Sequence, residues 1–364
     1  MANVLDLRRR IRSVKNTRQI TKAMKMVSAA KLRRAQEQAL AARPYSRMIA
    51  SVLESLARRI EIYDPATGNL RHPLFATREE KRVLLIVVSG EKGFAGAFNA
   101  NIVKAATNFI AARHDQQIDI EAIGRKGRDI LRRRYPAVQY VEAAPEEQDR
   151  LSRGERTRGG AVEVMDAHYR NILHKITFDE VRELGREIVT LYTQEKIDAV
   201  YVVYNEFKSV IQQRVVVQKI LPVVEIGKQQ IAAAEEMTRE ERERAVQAAE
   251  SAGISVGESP EGATAAKQSE EEASRFGTAE LDYIYEQDPK ELFNAILPRY
   301  VGTQLYHAMV ESAAAEFAAR MTAMDSATNN ASDLIDHYTL LMNRVRQAAI
   351  TKELIEIVSG AAAL

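Results

Sequence analysis

The C-terminal stretch of the chain constrains the fold most, because neither glycine nor proline occurs between Gly302 and Gly360. Its composition favours helix, and at 1.5 Å per residue such a helix would be roughly 80 Å long, longer than a small domain is wide. Apolar residues recur along one face every 3.5 residues: Tyr306, Val310, Ala313, Phe317, Met321, Met324, Ala327, Ala331, Leu334, Tyr338, Leu341, Val345 and Ala348. This is the coiled-coil repeat, so the stretch predicts a partner helix of similar length.

The N-terminal stretch is the expected partner. From Val4 to Ile60 it contains no glycine and a single proline, Pro44, which a long helix accommodates as a kink. The 3.5-residue spacing connects Ile11, Val14, Arg18, Thr21, Met24, Ser28, Leu32, Ala35, Ala39, Ala42, Ser46, Ile49, Leu53, Leu56 and Ile60. Several of these residues are polar, and the seam is weakest in its first half. We therefore expect a long antiparallel two-helix coiled coil, formed by residues 1–62 and 280–364.

The middle of the chain alternates between strand and helix patterns. Residues 83–88 form a continuous apolar run typical of a strand that is buried on both faces. Further strands are predicted at 118–123, 137–141, 198–207 and 212–220, and helices at 101–113, 125–134 and 178–194. Residues 143–160 are polar and contain several glycines, which predicts a loop. The fold class is thus α/β, with a small Rossmann-like domain at residues 77–227.

An acidic segment follows at residues 228–279. It reads as an insertion on the surface, with a charged helix at 231–249 that has no substantial apolar face. Residues 251–277 are rich in Gly, Ser and Glu and are expected to be flexible.

Charge is unevenly distributed although the net charge is only +2. Residues 8–34 contain eleven Lys or Arg and no acid. Three interpretations of this basic helix are open: it binds nucleic acid, it contacts an acidic protein surface, or it is a charged exterior without a partner. We favour the acidic protein surface, because this segment has no aromatic residue to stack on bases and because an apolar seam passes through it. No apolar run approaches the length of a membrane span, so direct membrane insertion is not expected.

The motifs of enzymes are missing from the sequence. Residues 89–98 (SGEKGFAGAF) form a glycine-rich loop between a strand and a helix, but they match neither the P-loop nor the G-x-G-x-x-G pattern. The six histidines are dispersed and the chain has no cysteine, which excludes disulfides and thiolate ligands. We predict no catalytic, cofactor-binding or metal-binding residues.

Four segments resemble the γ subunit of F-type ATP synthases. They are 12–26 (RSVKNTRQITKAMKM), 318–328 (AARMTAMDSAT), 343–349 (NRVRQAA) and 350–363 (ITKELIEIVSGAAA). The resemblance covers about residues 1–130 and 195–364, without the insertion. Glu91-Lys92-Gly93 departs from the Asp-Arg-Gly of many relatives, and the region 143–175 is longer than usual. The insertion lies where chloroplast members carry a redox-regulatory segment, but without cysteine a thiol switch is chemically impossible.

The resemblance implies a non-catalytic rotor shaft inside a ring of three α and three β subunits. It implies that the α/β domain lies at the foot, with the ε subunit and the membrane c-ring, and that proton-driven rotation is coupled to ATP synthesis. The chain would be peripheral, on the cytoplasmic face of a bacterial inner membrane. Matching residue by residue, the expected contacts with the β subunits are Arg346, Gln347, Thr351, Glu353, Met24 and Lys25. The expected contacts with the c-ring are Tyr283 and Glu286.

Overall fold

Two very long helices lie at the ends of the chain. The computed structural model describes residues 4–59, 72–140, 156–157, 160–165, 173, 176–210, 212–224, 226, 229–254 and 285–362. Helix α1 spans Val4–Arg59, 56 residues with Pro44 inside it. The last helix, α6, spans Pro289–Ala362, 74 residues with Pro298 inside it, and is therefore roughly 110 Å long. The two helices pack against each other along much of their length.

The two helices run antiparallel, as expected. Thr21 meets Thr328, Lys25 meets Asp325, and Gln38 meets Tyr306, so ascending numbers on α1 pair with descending numbers on α6. All the described seam residues of α1 are buried or half-buried; Ile60 lies outside the described residues. We call the paired helices the shaft.

The seam of α6 differs from the prediction at two positions. Leu334 is 45% exposed, whereas its neighbour Ile335 is 7% exposed and faces α1. An α-helix drifts relative to a strict 3.5-residue repeat, and here a four-residue step from Ala331 corrects that drift. Ala348 is also exposed, because α6 has by then passed the beginning of α1.

A six-stranded sheet forms the central domain. Its strands are β1 (Arg82–Val88), β2 (Gln117–Ile123), β5 (Val162–Val164), β6 (Ala199–Phe207), β7 (Gln213–Leu221) and β8 (Gln230–Glu236). Their order is β5-β2-β1-β6-β7-β8, with parallel pairing from β5 to β6 and antiparallel pairing from β6 to β8. The helices are α2 (Phe98–Ala111), α3 (Arg125–Leu131), α4 (Phe178–Thr193) and α5 (Arg239–Ser251), with a short turn at Pro73–Phe75.

Alternate residues of β1 face two cores. On one side Val83, Leu85 and Val87 belong to a core shared with α2, α5 and the middle of the shaft. On the other side Leu84 and Ile86 belong to a core shared with α4, the end of α1 and the start of α6. The shaft helices contribute to both cores, so the domain and the shaft are packed as one body.

The third strand, predicted at 137–141, is shorter in the part of that range that the structure describes. There Gln139–Tyr140 (β3) is the strand, and it pairs with Arg156–Thr157 (β4) in a separate two-stranded sheet. Most of the loop predicted at 143–160 lies outside the described residues. The strand at one edge of the main sheet is β5, which sequence reasoning missed because it has three residues.

The charged helix predicted at 231–249 was wrong in its first half. Residues 230–236 form β8, which extends the sheet beside β7. Thr238 then caps α5, with a capping box completed by Glu241. The expectation that this helix lacks an apolar face was also wrong, because Ala245, Ala248 and Ala249 are buried in the core. The flexible segment expected at 251–277 lies, from residue 255 onward, outside the described residues.

Candidate interaction surfaces of the shaft

Where the seam of α1 is polar, a buried ion pair joins the two shaft helices. Lys25 Nζ lies 3.0 Å from Asp325 Oδ1, and the two side chains are 8% and 9% exposed. Lys25 also donates to Ser251 Oγ of α5, and that hydroxyl lies 3.0 Å from the same Asp325 oxygen. One turn away, the hydroxyls of Thr21 and Thr328 lie 2.8 Å apart. Three helices therefore meet at this ion pair.

Lys25, which was expected to contact a β subunit, has its ammonium group buried and bonded within the chain. Its role as a subunit contact stays a prediction. The neighbouring Met24 is half-buried, and part of its side chain remains accessible. Of the two residues expected to contact a β subunit from α1, only Met24 lies at the surface.

The C-terminal end of α6 projects beyond α1. Because Lys25 lies opposite Asp325, the first described residues of α1 lie opposite about residue 346, and α6 continues beyond them. Residues 346–359 are all exposed. They include five large apolar side chains, between 50% and 68% exposed: Ile350, Leu354, Ile355, Ile357 and Val358. An apolar surface of this kind marks an interaction site, and we call residues 346–362 the tip.

The four expected contacts of the C-terminal segment lie together on the tip. Arg346, Gln347, Thr351 and Glu353 are all exposed. Thr351 donates its hydroxyl to the carbonyl of Gln347, 2.9 Å away, as a helical threonine commonly does. The structure thus places polar side chains beside the exposed apolar residues of one helix end.

The foot of the shaft is at the opposite end of α6. Glu286 is exposed there, three residues before the helix begins at Pro289. Tyr283 lies outside the described residues. Between these two residues, the Tyr285 hydroxyl lies 3.2 Å from Ser55 Oγ, which links the end of α1 to the segment just before α6. Glu286 and the contacts expected on the tip are therefore separated by most of the length of α6.

The glycine-rich loop after β1 is packed against α6. Arg320 is bonded to Glu316 one turn earlier, and it donates to the carbonyl of Gly93, 3.4 Å away. A Cβ at Gly90 would lie 2.8 Å from Glu316 Oε1. Burial raises the pKa of Glu316 above its ordinary value, while the charge of Arg320 opposes this shift. Side chains of the shaft therefore pack closely against this loop.

The loop is anchored to the sheet through a second close approach. Gly124 has a φ of +102°, and a Cβ there would lie 2.0 Å from the carbonyl oxygen of Ser89. The hydroxyl of Ser89 accepts the N–H of Gly127 at 2.8 Å. The glycines of this region therefore serve close backbone packing.

Among the described residues, none of the helices is both long enough and apolar enough to cross a bilayer. The same residues contain no cluster of three or more His, Asp or Glu side chains that could hold a metal ion.

Sequence reasoning missed the residues that join the shaft to the rest of the molecule: Asp325, Ser251, Glu316 and Arg320. A weak signal existed for the first of them, because Lys25 follows Met24 and Asp325 follows Met324, both next to seam positions. Opposite charges beside two facing seams are the pattern of interhelical ion pairs. Nothing local indicated Ser251, which lies in the insertion.

Comparison with known proteins places this chain among well-defined relatives. A family model described as ATP synthase matches residues 3–364. The ATP synthase gamma chain of Solibacter usitatus is 43% identical over 363 residues, covering 100% of this chain and 99% of the relative. The ATP synthase gamma chain of Geobacter sp. (strain M21) is 37% identical over 362 residues, covering 99% of this chain and 98% of the relative.

Solved structures also match over most of their length. In the Euglena gracilis mitochondrial ATP synthase (OSCP/F1/c-ring), one chain is 16% identical, with 99% of this chain and 94% of that chain covered and a TM-score of 0.48. In the structure of the central stalk and c-ring of the Tetrahymena thermophila mitochondrial ATP synthase, one chain is 18% identical. The match covers 85% of this chain and 99% of that chain, with a TM-score of 0.46.

Proposed function

This chain belongs to the family of ATP synthase gamma chains, and we propose that it is the central rotor shaft of an F-type ATP synthase. In this role the paired helices carry the rotation of a proton-driven membrane c-ring to the catalytic β subunits. There the rotation changes the affinity of each nucleotide site, which couples distant sites thermodynamically. We assign no active site and no cofactor to the chain itself.

The projecting tip is the observation that carries this proposal. Where α6 extends beyond α1, five of its large apolar side chains are exposed. They need a surrounding surface to cover them. The remainder of α6 is held by α1 and by both cores of the central domain. A rod that is anchored at one end and inserted at the other is suited to transmit torque.

We assign different partner subunits to the two ends of the shaft. Around the tip we propose a ring of three α and three β subunits, contacted through Arg346, Gln347, Thr351 and Glu353, with Met24 further along the shaft. At the foot we propose the ε subunit and the c-ring, contacted through Glu286 and Tyr283. The protein would then lie on the cytoplasmic face of a bacterial inner membrane, held there through its complex.

Reconstitution tests the proposed function. The chain is combined with α and β subunits, and the stoichiometry of the purified complex is measured by native mass spectrometry. We expect one copy per three β subunits, ATPase activity in the complex, and none in the isolated chain. Equimolar incorporation with β, or tight stoichiometric ATP binding by the isolated chain, would contradict the proposal.

Cross-linking tests the tip. Because the chain has no cysteine, Glu353→Cys carries a single thiol for a thiol-to-amine cross-linker. In the assembled complex we expect it to attach to the ring subunits, β included. Lys196→Cys, exposed on the central domain, is the matched control and should not attach to β. Equal attachment from both positions would show that the tip is not the inserted end.

A further inference from the structure

A polar cavity lies where the insertion meets the shaft. It is bounded by α1, α5 and α6 and has a volume of about 790 Å³. Every side chain that lines it is polar or charged, and none is aromatic. An apolar ligand would find no hydrophobic wall here, and a nucleobase would find no ring to stack on.

The charges in the cavity favour an anion. Lys25 and Asp325 are among its lining residues and neutralise each other at 3.0 Å. Arg18 and Lys22, one turn apart on α1, also line it, and neither has a side-chain partner among the described residues. The remaining acid, Glu250 of α5, opposes them. The lining therefore carries one excess positive charge.

We propose that this cavity is a binding site for a small oxyanion of the phosphate type. Arg18 presents a planar fork that suits two oxygens of one anion, and Lys22 adds a point charge one turn away. Gln19 and Gln247 also line the cavity and supply neutral amide donors. The absence of an aromatic lining favours the inorganic anion over a nucleotide.

A bound anion would connect two elements that are far apart in sequence. Arg18, Gln19 and Lys22 belong to α1, whereas Gln247 belongs to α5. The anion would stabilise the docking of α5 on the shaft beside the contact of Ser251 with Lys25. This proposal does not depend on the rotary function, because it can be tested on the full chain alone.

Phosphate binding by the full-length protein tests the site. The midpoint of thermal unfolding and the heat of binding are measured against inorganic phosphate, with ionic strength held constant by chloride. We expect saturable binding that raises the unfolding midpoint. Arg18→Gln and Lys22→Gln should each weaken it at least about fivefold, since each removes a charge-assisted hydrogen bond.

Two further variants distinguish phosphate binding in this cavity from a general electrostatic attraction of phosphate to the basic helix α1. Glu250→Gln should strengthen phosphate binding about twofold or more, because it removes the one opposing charge. Lys15→Gln removes an exposed charge of α1 outside the cavity and should leave the affinity unchanged. The proposal is overturned if phosphate does not bind saturably, if Lys15→Gln weakens binding as much as Arg18→Gln, or if Glu250→Gln fails to strengthen it. Circular dichroism confirms that each variant is folded.

Discussion

At the scale of single residues, buried charges hold the molecule together where apolar packing is interrupted. Lys25 and Asp325 join the shaft helices at a polar stretch of the seam. Glu316 and Arg320 of α6 pack against the loop after β1. Each pair is stable only because both members are present, since a lone buried charge loses its hydration without compensation. Each pair therefore yields a sharp prediction.

Removing one member of the first pair should destabilise the fold strongly. Asp325→Ala leaves the Lys25 ammonium buried with Ser251 as its remaining side-chain partner, and we expect a loss of about 3–5 kcal/mol. The double variant Lys25→Asp with Asp325→Lys should recover much of this loss, because the Ser251 hydroxyl can donate or accept. Urea unfolding measures all three proteins. A double variant no more stable than Asp325→Ala would show that the ion pair is not the cause.

Glu316 should make stability depend on pH. Burial raises its pKa above the ordinary value of 4.5, against the opposing charge of Arg320. The folded protein thus holds this proton more tightly than the unfolded chain, so the free energy of unfolding falls as pH rises from about 4.5 through the folded pKa.

The variant Glu316→Gln mimics the protonated form and lacks this titration. We therefore expect wild type to lose stability relative to Glu316→Gln as pH rises through that window, and the difference to be constant above it. Denaturant unfolding of both proteins in a pH series measures this. A difference that does not change with pH, or that changes in the opposite direction, would contradict the assignment.

At the scale of elements, the position of the shaft depends on how closely a helix of the domain approaches it. Helices α4 and α6 meet at Gly185 and Gly302. A Cβ at Gly185 would lie 3.0 Å from the Cα of Gly302, whereas one at Gly302 would meet its nearest atom, the Cα of Arg182, at 3.6 Å. The first distance is too short for an ordinary contact and the second is not. The two glycines therefore differ in the space available for a side chain, although both lie in helices.

The same substitution at these two positions should give different results. Gly185→Ala pushes the helices apart and should destabilise the protein by about 1–3 kcal/mol. Gly302→Ala adds a methyl group in ordinary contact and improves helix propensity, so it should be neutral or stabilising by up to about 1 kcal/mol. Thermal and urea unfolding of the two variants provide the comparison. Equal effects would mean that the close approach at Gly185 relaxes without strain.

At the scale of the whole molecule, stability and interaction are separated along one helix. The part of α6 beside the domain contributes to both cores, whereas residues 346–359 are exposed. The tip therefore contributes little to folding within this chain. Its apolar side chains serve contacts outside the chain, which is the basis of the proposed function.

Truncation before residue 348 should reveal this separation. We expect the free energy of unfolding of the isolated chain to change by less than about 1 kcal/mol, since exposed residues are lost. In the reconstituted, membrane-bound complex, ATP synthesis should fall several-fold. A control that ends at residue 359 keeps the large apolar side chains and should retain most of the synthesis. Full synthesis by the shorter chain would rule out a coupling role for the tip.

Much of the architecture follows from local patterns. The long helices, their antiparallel pairing and the buried strand at 83–88 are predictable, because helix propensity and hydrophobic period are properties of neighbouring residues. Arg346, Gln347, Thr351 and Glu353 were expected as subunit contacts through the resemblance of their segments to known ones, and these roles stay predictions. The exposure of the five large apolar side chains beside them was not predicted.

Tertiary structure decided the rest. Residues 230–236 have a helical composition, but the open edge of β7 offers backbone hydrogen bonds that make them a strand. Whether Leu334 or Ile335 faces α1 depends on the drift of two helices over many turns. Lys25 was expected at the surface, yet it is buried because Asp325 and Ser251 reach it from 300 and 226 residues away. The sequence carries only a weak sign of the Lys25–Asp325 pair and none of the contact with Ser251, because contacts between residues so far apart form only when the chain packs.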